Sequence, residues 1–561
     1  MKKQIDLQLL AIFGGGLLFN FLFWDEGLAL NLLIYTLFIL VIIFSKKEHQ
    51  SNKKTIIIAL SHLLASILVV YNHSILNIIT YYITLVIFVG FAHATLIRTV
   101  FVAIFSGLLQ IISAPINLIK KLTTVKVGNY SLKPMLRPIK YIIIPIIVLL
   151  LFSMVYSVAN PVFANYLEKF ATNIGNFIFD IFTFFFGDLS IARFLHVILG
   201  ILFTAGIVLA FKENSLEKLE ATSTENLVRK RKNRKLSTFA DELKSIFIGF
   251  AINKKMALKT ENIIGIISFA ALNILLLFLN GIDIYTLWLG KLGNLGDKNY
   301  SAELHEGTNA LILSIFMAMA VILYFFNGNL NFFSKNKTIK ILAYLWIIQN
   351  AFLICSVLLR DYNYIDMHGL TYKRIGVIVF LILCTIGLIT VYIKVAKQKT
   401  FFYLCKTNGQ IWYVLLLVFG IVNWDVFIVN YNIDNRKSIA LDLDHLLDMS
   451  DKTLPLLDKN RNLLKQYIPK NYDIYTPTET VVVDSVDTAA VVAEANPNTV
   501  TPKLPIDTAK LEQEHKQKQI EAFNYNLDNR IAKFKSRQKV NSWLSWNFRD
   551  WQTQQYFANK K

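Results

Sequence analysis

At 561 residues, the chain is 54% apolar and only 17% charged, where a soluble protein carries about a quarter charged residues. The apolar residues fall in long runs, which excludes an ordinary soluble domain. It also excludes a β-barrel, whose strands read as short alternating segments. The formal net charge is +20, but no aromatic-interleaved basic module accompanies it, so nucleic acid is excluded as a partner. The basic residues cluster beside apolar runs instead, the positive-inside signal of a membrane protein.

A helix needs roughly 17–25 apolar residues to cross the hydrocarbon. The first such run is 5–24 and the second 28–44, separated by the turn Asp25-Glu26-Gly27. The first follows Lys2 and Lys3 and has no small-residue cleavage site, which predicts a retained helix. Segment 45–54 carries four lysines and is predicted cytoplasmic, and the N-terminus with it. Runs 56–71 and 75–90 meet outside at Asn72-His73-Ser74. Run 96–114 is predicted to lie along the inner surface or to re-enter, because a full span there would carry the basic loop 120–140 outside.

Run 139–160 then goes out, 161–186 forms an outer amphipathic segment, and 191–211 returns to the inner loop 212–244 with its basic run 229–235. Spans 262–280, 308–326, 339–359 and 374–393 alternate around the outer loops 281–307 and 360–373, and 411–429 is the last. The predicted fold class is all-α: a polytopic transmembrane helix bundle of about eleven, alternatively twelve, spans with a small helical extracytoplasmic C-terminal domain. It is placed in a bacterial plasma (inner) membrane, N-terminus in the cytoplasm. The domain boundaries are 1–430 for the bundle, 431–475 for a helical segment, 476–505 for a Thr-, Val-, Ala-, Pro- and Asp-rich linker, and 506–561 for a helical C-terminal segment. That last segment holds a charged helix over 508–540 and an aromatic patch of Trp543, Trp546, Phe548, Trp551 and Tyr556.

Three polar clusters gather on the predicted outer face: Tyr300 to Gly307 with Glu303, His305 and Glu306; Arg360 to Arg374 with Tyr364; and Asn423 and Asp425 followed by Asn430 to Asp434 with Asn432. Asp425 falls inside the outer end of the last apolar run, where a carboxylate is costly unless paired or wet. Arg360 and Arg374 are its expected partners, with Tyr364 and Asn423 completing the hydrogen bonds. The plain alternative to a functional site is an architectural ion pair that clamps helix ends. For Glu303 and Glu306 the plain alternative is a solvated helix cap, and for His62, His73, His93 and His196 it is helix packing. Gly14-Gly15-Gly16 lacks the strand–helix setting of a phosphate loop and reads as close helix packing. Cys355, Cys384 and Cys405 form no CxxC pair, and no HExxH is present. No metal, cofactor or catalytic constellation is therefore expected.

Read in order, these clusters resemble a bacterial multi-pass membrane family known only as a domain of unknown function. The resemblance rests on Tyr300, Ala302, Glu303 and Gly307; on Arg360, Tyr364, Gly369, Leu370, Thr371 and Arg374; and on Asn423, Asp425, Tyr431, Asn432 and Ile433. It continues through Leu441-Asp442-Leu443, Leu447, Ser450 and Leu454-Pro455-Leu456-Leu457, and ends on Trp543, Trp546 and Asn547. It implies an architecture and no reaction. The expected function is a non-enzymatic cell-envelope scaffold or sensor, with the lipid bilayer as one partner and an envelope protein, bound through the tail, as another. A transporter and a membrane-embedded transferase acting on a lipid-linked substrate are the alternatives.

Overall fold

A computed structural model of the chain describes residues 7–45, 50, 52–124, 126–127, 130–131, 145, 148–186, 190–210, 214–229, 258–289, 300–326, 328–439, 441–468 and 508–560. Among them the only β-structure beyond an isolated bridge is a two-residue hairpin, Lys126–Val127 against Tyr130–Ser131. Everything else regular is helical: α1 (Leu7–Phe23), α2 (Leu30–Phe44), α3 (Lys53–Asn72), α4 (Ile75–His93), α5 (Val100–Ile112) and α6 (Ala114–Thr124). Next come α7 (Val148–Ala159), α8 (Pro161–Phe186), α9 (Ile191–Val208) and α10 (Asn214–Thr222). Then follow α11 (Leu258–Asp283), extended by a π-helical turn (Ile284–Trp288), α12 (Tyr300–Phe325), α13 (Lys337–His368), α14 (Tyr372–Ala396) and α15 (Phe401–Ile421).

Seven of these, α3, α4, α9, α11 with its π turn, α13, α14 and α15, are long and apolar enough to cross a membrane. Shorter apolar helices cover α1, α2, α7 and residues Ala310–Phe325 of α12. Each of the eleven runs predicted as spans overlaps one of these helices within the described residues, run 139–160 through Val148–Ala159 and run 411–429 through the part that ends at Ile421. The ambiguous run 96–114 forms α5, which is followed by α6 at a 55° bend. The protein is thus an all-α, multi-pass membrane protein.

The chain divides into two compact units that are each discontinuous in sequence: Met1–Tyr362 with Ile375–Val422 and Asn541–Phe548, and Asn363–Arg374 with Asn423–Val540 and Arg549–Lys561. In the first, the membrane unit, close backbone approach sets the packing. A Cβ on Gly16 of α1 would stand 2.3 Å from Ile201 Cγ1 and 2.9 Å from its backbone N on α9. On α4 and α5, a Cβ on Gly107 would stand 2.1 Å from the Val86 carbonyl oxygen. Helices without a hydrophobic drive between them associate through such small residues, so the glycine run in the first helix packs it against α9, as predicted.

Buried polar groups reinforce the bundle. His62 Nδ1 shares a 2.9 Å hydrogen bond with Thr84 Oγ1, His93 bonds the Ile207 carbonyl at 2.7 Å, and His196 meets Asn20 at 3.2 Å. These histidines pack helices. A second set runs along α11 and α13. Asn273 donates to the Leu342 carbonyl at 3.0 Å and accepts from Gln349 at 2.8 Å, while Asn280 donates to the Gln349 carbonyl at 3.2 Å. Two turns separate Asn273 from Asn280, so the same face of α11 meets α13 at both levels.

The sequence places 411–429 in one last span, and here the structure differs. Helix α15 stops at Ile421, with Val422 extended at φ −79°, ψ 132°. The carbonyls of Gly420 and Ile421 accept hydrogen bonds from the Asn72 side-chain amide at 2.9 and 2.8 Å, which satisfies the helix end that a continuous apolar run conceals. The chain then enters the second unit.

Candidate functional site

The second unit, the C-terminal module, contains the loop between α13 and α14 together with α16 (Trp424–Asp434), α17 (Leu443–Asp448), α18 (Leu454–Lys459), α19 (Arg461–Leu464), α20 (Thr508–Val540) and most of α21 (Phe548–Asn559). Its apolar interior comes from leucines at helical spacing, among them Leu443, Leu446, Leu447, Leu454, Leu457 and Leu464. A stripe of Phe523, Leu527, Ile531 and Phe534 buries one face of α20, whose span matches the predicted 508–540.

The loop is built around Gly369. Its φ is +78°, a left-handed conformation that L side chains rarely adopt, and a Cβ there would stand 2.6 Å from Asn432 Oδ1. Asn432 on α16 fixes the next residue twice: its Oδ1 accepts from the Leu370 N–H at 2.6 Å, and its Nδ2 donates to the Leu370 carbonyl at 2.9 Å. Arg374 closes the loop from within. Its guanidinium donates to the His368 carbonyl at 2.9 Å and to the Gly369 carbonyl, and lies over the Tyr364 ring at 4.3 Å.

Asp425, in the first turn of α16, is the polar centre of the module. Its Oδ2 accepts from Lys452 Nζ at 2.6 Å and from Ser450 Oγ at 2.8 Å, and its Oδ1 accepts from the Tyr372 hydroxyl. Burial pushes the Asp425 carboxyl up, but the charge of Lys452 and the hydrogen bonds from Lys452, Tyr372 and Ser450 outweigh it. They hold the carboxyl below the usual carboxylate range. Two further aspartates do similar work at the edge of the module. Asp451 accepts from Arg530 at 2.9 Å and from Arg537, tying down α20. Asp458 accepts from Arg461 at 3.1 Å, from Tyr556 at 3.0 Å and from Lys560, tying down α21. Burial again raises the Asp458 carboxyl, and the bonds from Lys560 and Tyr556 with the charges of Lys560 and Arg461 bring it below the usual range.

Of the eight residues predicted as one outer-face cluster, Tyr364, Arg374, Asn423, Asp425 and Asn432 fall in this module. The expected pairing of Asp425 with Arg360 or Arg374 is corrected. Lys452 takes the carboxylate, Arg374 is committed to backbone carbonyls, and Arg360 belongs to the membrane unit, where it pairs with Asp283. Tyr364 stacks on Arg374, and the buried side-chain amide of Asn423 has no hydrogen-bond partner among the described residues. Glu303 and Glu306 lie on α12 in the membrane unit, and their side chains lie outside the described residues, as do the basic residues 230–235 and the linker 476–505. Asp425 itself stands in the helix after the last span rather than inside it.

Lys452 carries no distinguishing signal in the sequence, and Asp283 only a weak one. Lys452 sits in an ordinary-looking Ser-Asp-Lys-Thr stretch, and Asp283 hides in a segment that reads as loop. Its signal is that it is the one acid within the largely apolar stretch 262–288. Among the described residues, no group of three or more His, Cys, Asp or Glu side chains is placed to hold a metal ion.

No curated protein and no solved structure matches the chain. A family model does, over residues 55–460. That match takes in α3 to α18, the Gly369 loop, Asp425, Asn432 and Lys452, while α20 and the aromatic C-terminal segment lie beyond it. On that match, the chain belongs to the family described as a domain of unknown function, DUF4153.

Proposed function

We propose that this chain is a non-enzymatic membrane scaffold or sensor of the bacterial cell envelope, whose C-terminal module takes a protein partner. The observation that carries the reading is that the motif residues are spent on one another. Asp425 holds three donors, Arg374 is spread over two carbonyls and an aromatic face, and Asn432 locks Leu370. A catalytic site keeps a nucleophile, a base or a donor open to substrate. These groups fix the shape of a module instead, and a module of fixed shape suits docking. Residues 363–374, which are the end of α13, the Gly369 loop and the start of α14, belong to the module while the rest of both helices belongs to the membrane unit, so continuous chain links the module to α13 and α14. The lysines of 45–54 and the basic loop 212–244 support a cytoplasmic N-terminus and a module outside.

The test is site-specific photo-crosslinking in the native membrane, with the probe at exposed positions of α20 such as Tyr525 and Lys533. A discrete adduct with one envelope protein is the expected result. Uniform absence of adducts, together with solute flux in proteoliposomes, would replace this reading by transport. One observation favours that second reading: the polar side chains Asn273, Asn280, Asp283 and Gln349 are buried within a pair of membrane helices.

A further inference from the structure

We propose that the segment Asn541–Phe548 is an interfacial membrane anchor, with Trp543 and Trp546 seated at the boundary between lipid headgroups and acyl chains. This is independent of the partner reading above, and its occupant is the bilayer.

The placement comes from hydrogen bonds within the membrane unit. Ser545 Oγ accepts from the Gly27 N–H at 2.8 Å and donates to the Glu26 carboxylate at 2.6 Å. The Trp546 carbonyl accepts from the Leu30 N–H at 3.2 Å. Leu544 is buried among residues of α1 to α4, including Leu22, Leu32 and Tyr81. The segment is therefore fixed across the turn that joins α1 to α2, at the end of two apolar helices. The Phe548 ring stacks on Tyr71, the penultimate residue of α3, with centroids 5.0 Å apart and planes 9° from parallel. Its neighbour Asn72 holds the carbonyls of Gly420 and Ile421. Tyr71 and Asn72 thus touch the chain both near Val422, where it first leaves the membrane unit, and at Phe548, where it leaves a second time.

With Leu544 and Ser545 turned inward, the tryptophans on either side turn outward, and they are 61% and 41% exposed. The helices at this end also carry exposed apolar residues. Leu10, Phe13, Leu17 and Phe21 form one outward stripe of α1, and Ile75, Ile79 and Tyr82 one of α4. In a multi-pass membrane protein such stripes face acyl chains. Indole rings at the ends of apolar helices, each with an apolar body and one N–H donor, are suited to the interface.

The test uses the full chain in nanodiscs of phosphatidylcholine and phosphatidylglycerol. Spin labels are placed on cysteines replacing Trp543 and Trp546, in a chain with Cys355, Cys384 and Cys405 changed to serine, with a control label at Lys535 on α20. The expected result is that both tryptophan-site labels are far more accessible to oxygen than to an aqueous nickel chelate, the reverse of the control. Labels as water-accessible as the control would overturn the proposal. So would dipolar broadening that disappears on dilution with unlabelled chain, because a second copy would then occupy the surface. Should the cysteine-free chain fail to fold, the native chain in brominated-lipid nanodiscs gives the same answer. Its tryptophan quenching should fall in the Trp543→Phe/Trp546→Phe variant, and unchanged quenching would count against an anchor.

Discussion

Lys452 Nζ lies 2.6 Å from Asp425 Oδ2, and the two side chains are 3% and 8% exposed. Neither charge has water to fall back on, so each depends on the other. Removing one partner of such a buried pair typically costs about 3–5 kcal/mol, whereas replacing both by groups of similar volume is often neutral. Lys452→Met should therefore loosen the C-terminal module sharply, and the double variant Asp425→Asn/Lys452→Met should recover part of the loss. Limited proteolysis of the detergent-solubilised chain reads the difference. A double variant no more resistant than Lys452→Met would show that the pair is not the source of the stability.

The same carboxylates set an acid limit. Asp425 and Asp458 are both held below the usual carboxylate range in the folded protein. A depressed folded pKa gives stability that is present above the unfolded value, about 3.9 for aspartate. It is lost as pH falls through the lower folded value. The module should hold its protease resistance from neutral pH down to the ordinary carboxylate range and lose it below. In Asp425→Asn the acid transition should be shallower. An unchanged transition would move the acid sensitivity to other groups.

Gly369 offers a backbone test. Its φ of +78° costs a residue with a side chain about 1–2 kcal/mol, and a Cβ would also stand 2.6 Å from Asn432 Oδ1, the acceptor of the Leu370 N–H. Gly369→Ala should break the pair of hydrogen bonds between Asn432 and Leu370 and raise hydrogen exchange at the Leu370 amide. Gly376→Ala, where a Cβ meets nothing within 4 Å, should leave that exchange unchanged. Equal effects from the two would mean that alanine acts through helix or unfolded-state propensity rather than through the loop.

These residues also show where the sequence was legible. Spans were readable because hydrocarbon thickness demands long apolar runs, and every predicted run overlaps an apolar helix within the described residues. The charged helix over 508–540 was readable from composition alone. The end of the last span was not, because apolar residues flank Asn423 and Asp425 on both sides across the break, and the group that bonds the last carbonyls of the helix is Asn72, far away in sequence. Asp425 was legible as a residue needing a partner, since an isolated carboxylate in an apolar setting is costly. Which cation supplies it was not. Arg360 and Arg374 belong to the motif cluster before it, but Arg374 is committed to the turn at Gly369, and Lys452 arrives through tertiary folding that no spacing rule encodes.

The Asp283–Arg360 pair gives the last prediction. Asp283 ends α11 with its side chain 1% exposed, while that of Arg360 on α13 is 22% exposed. The pair closes the polar contacts that begin at Asn273 and Gln349 and continue through Asn280. The two partners should therefore respond unequally. Arg360→Met strands a carboxylate that has no route to water, at a cost of about 2.5–3.5 kcal/mol even on lenient insertion scales. Asp283→Asn leaves an arginine whose long stem can carry its charge toward solvent, and asparagine still accepts a hydrogen bond from it. Folded yield from membranes and the apparent melting temperature in detergent should fall much more in Arg360→Met than in Asp283→Asn. Adding Asp283→Asn to Arg360→Met should then raise both quantities, because it removes the stranded charge. Equal losses in the two single variants, or no recovery in the double, would overturn this account. If Arg360→Met instead accumulates normally but fails to complement a deletion strain, the pair acts in function rather than in folding, and the transport reading of the α11–α13 polar side chains gains support.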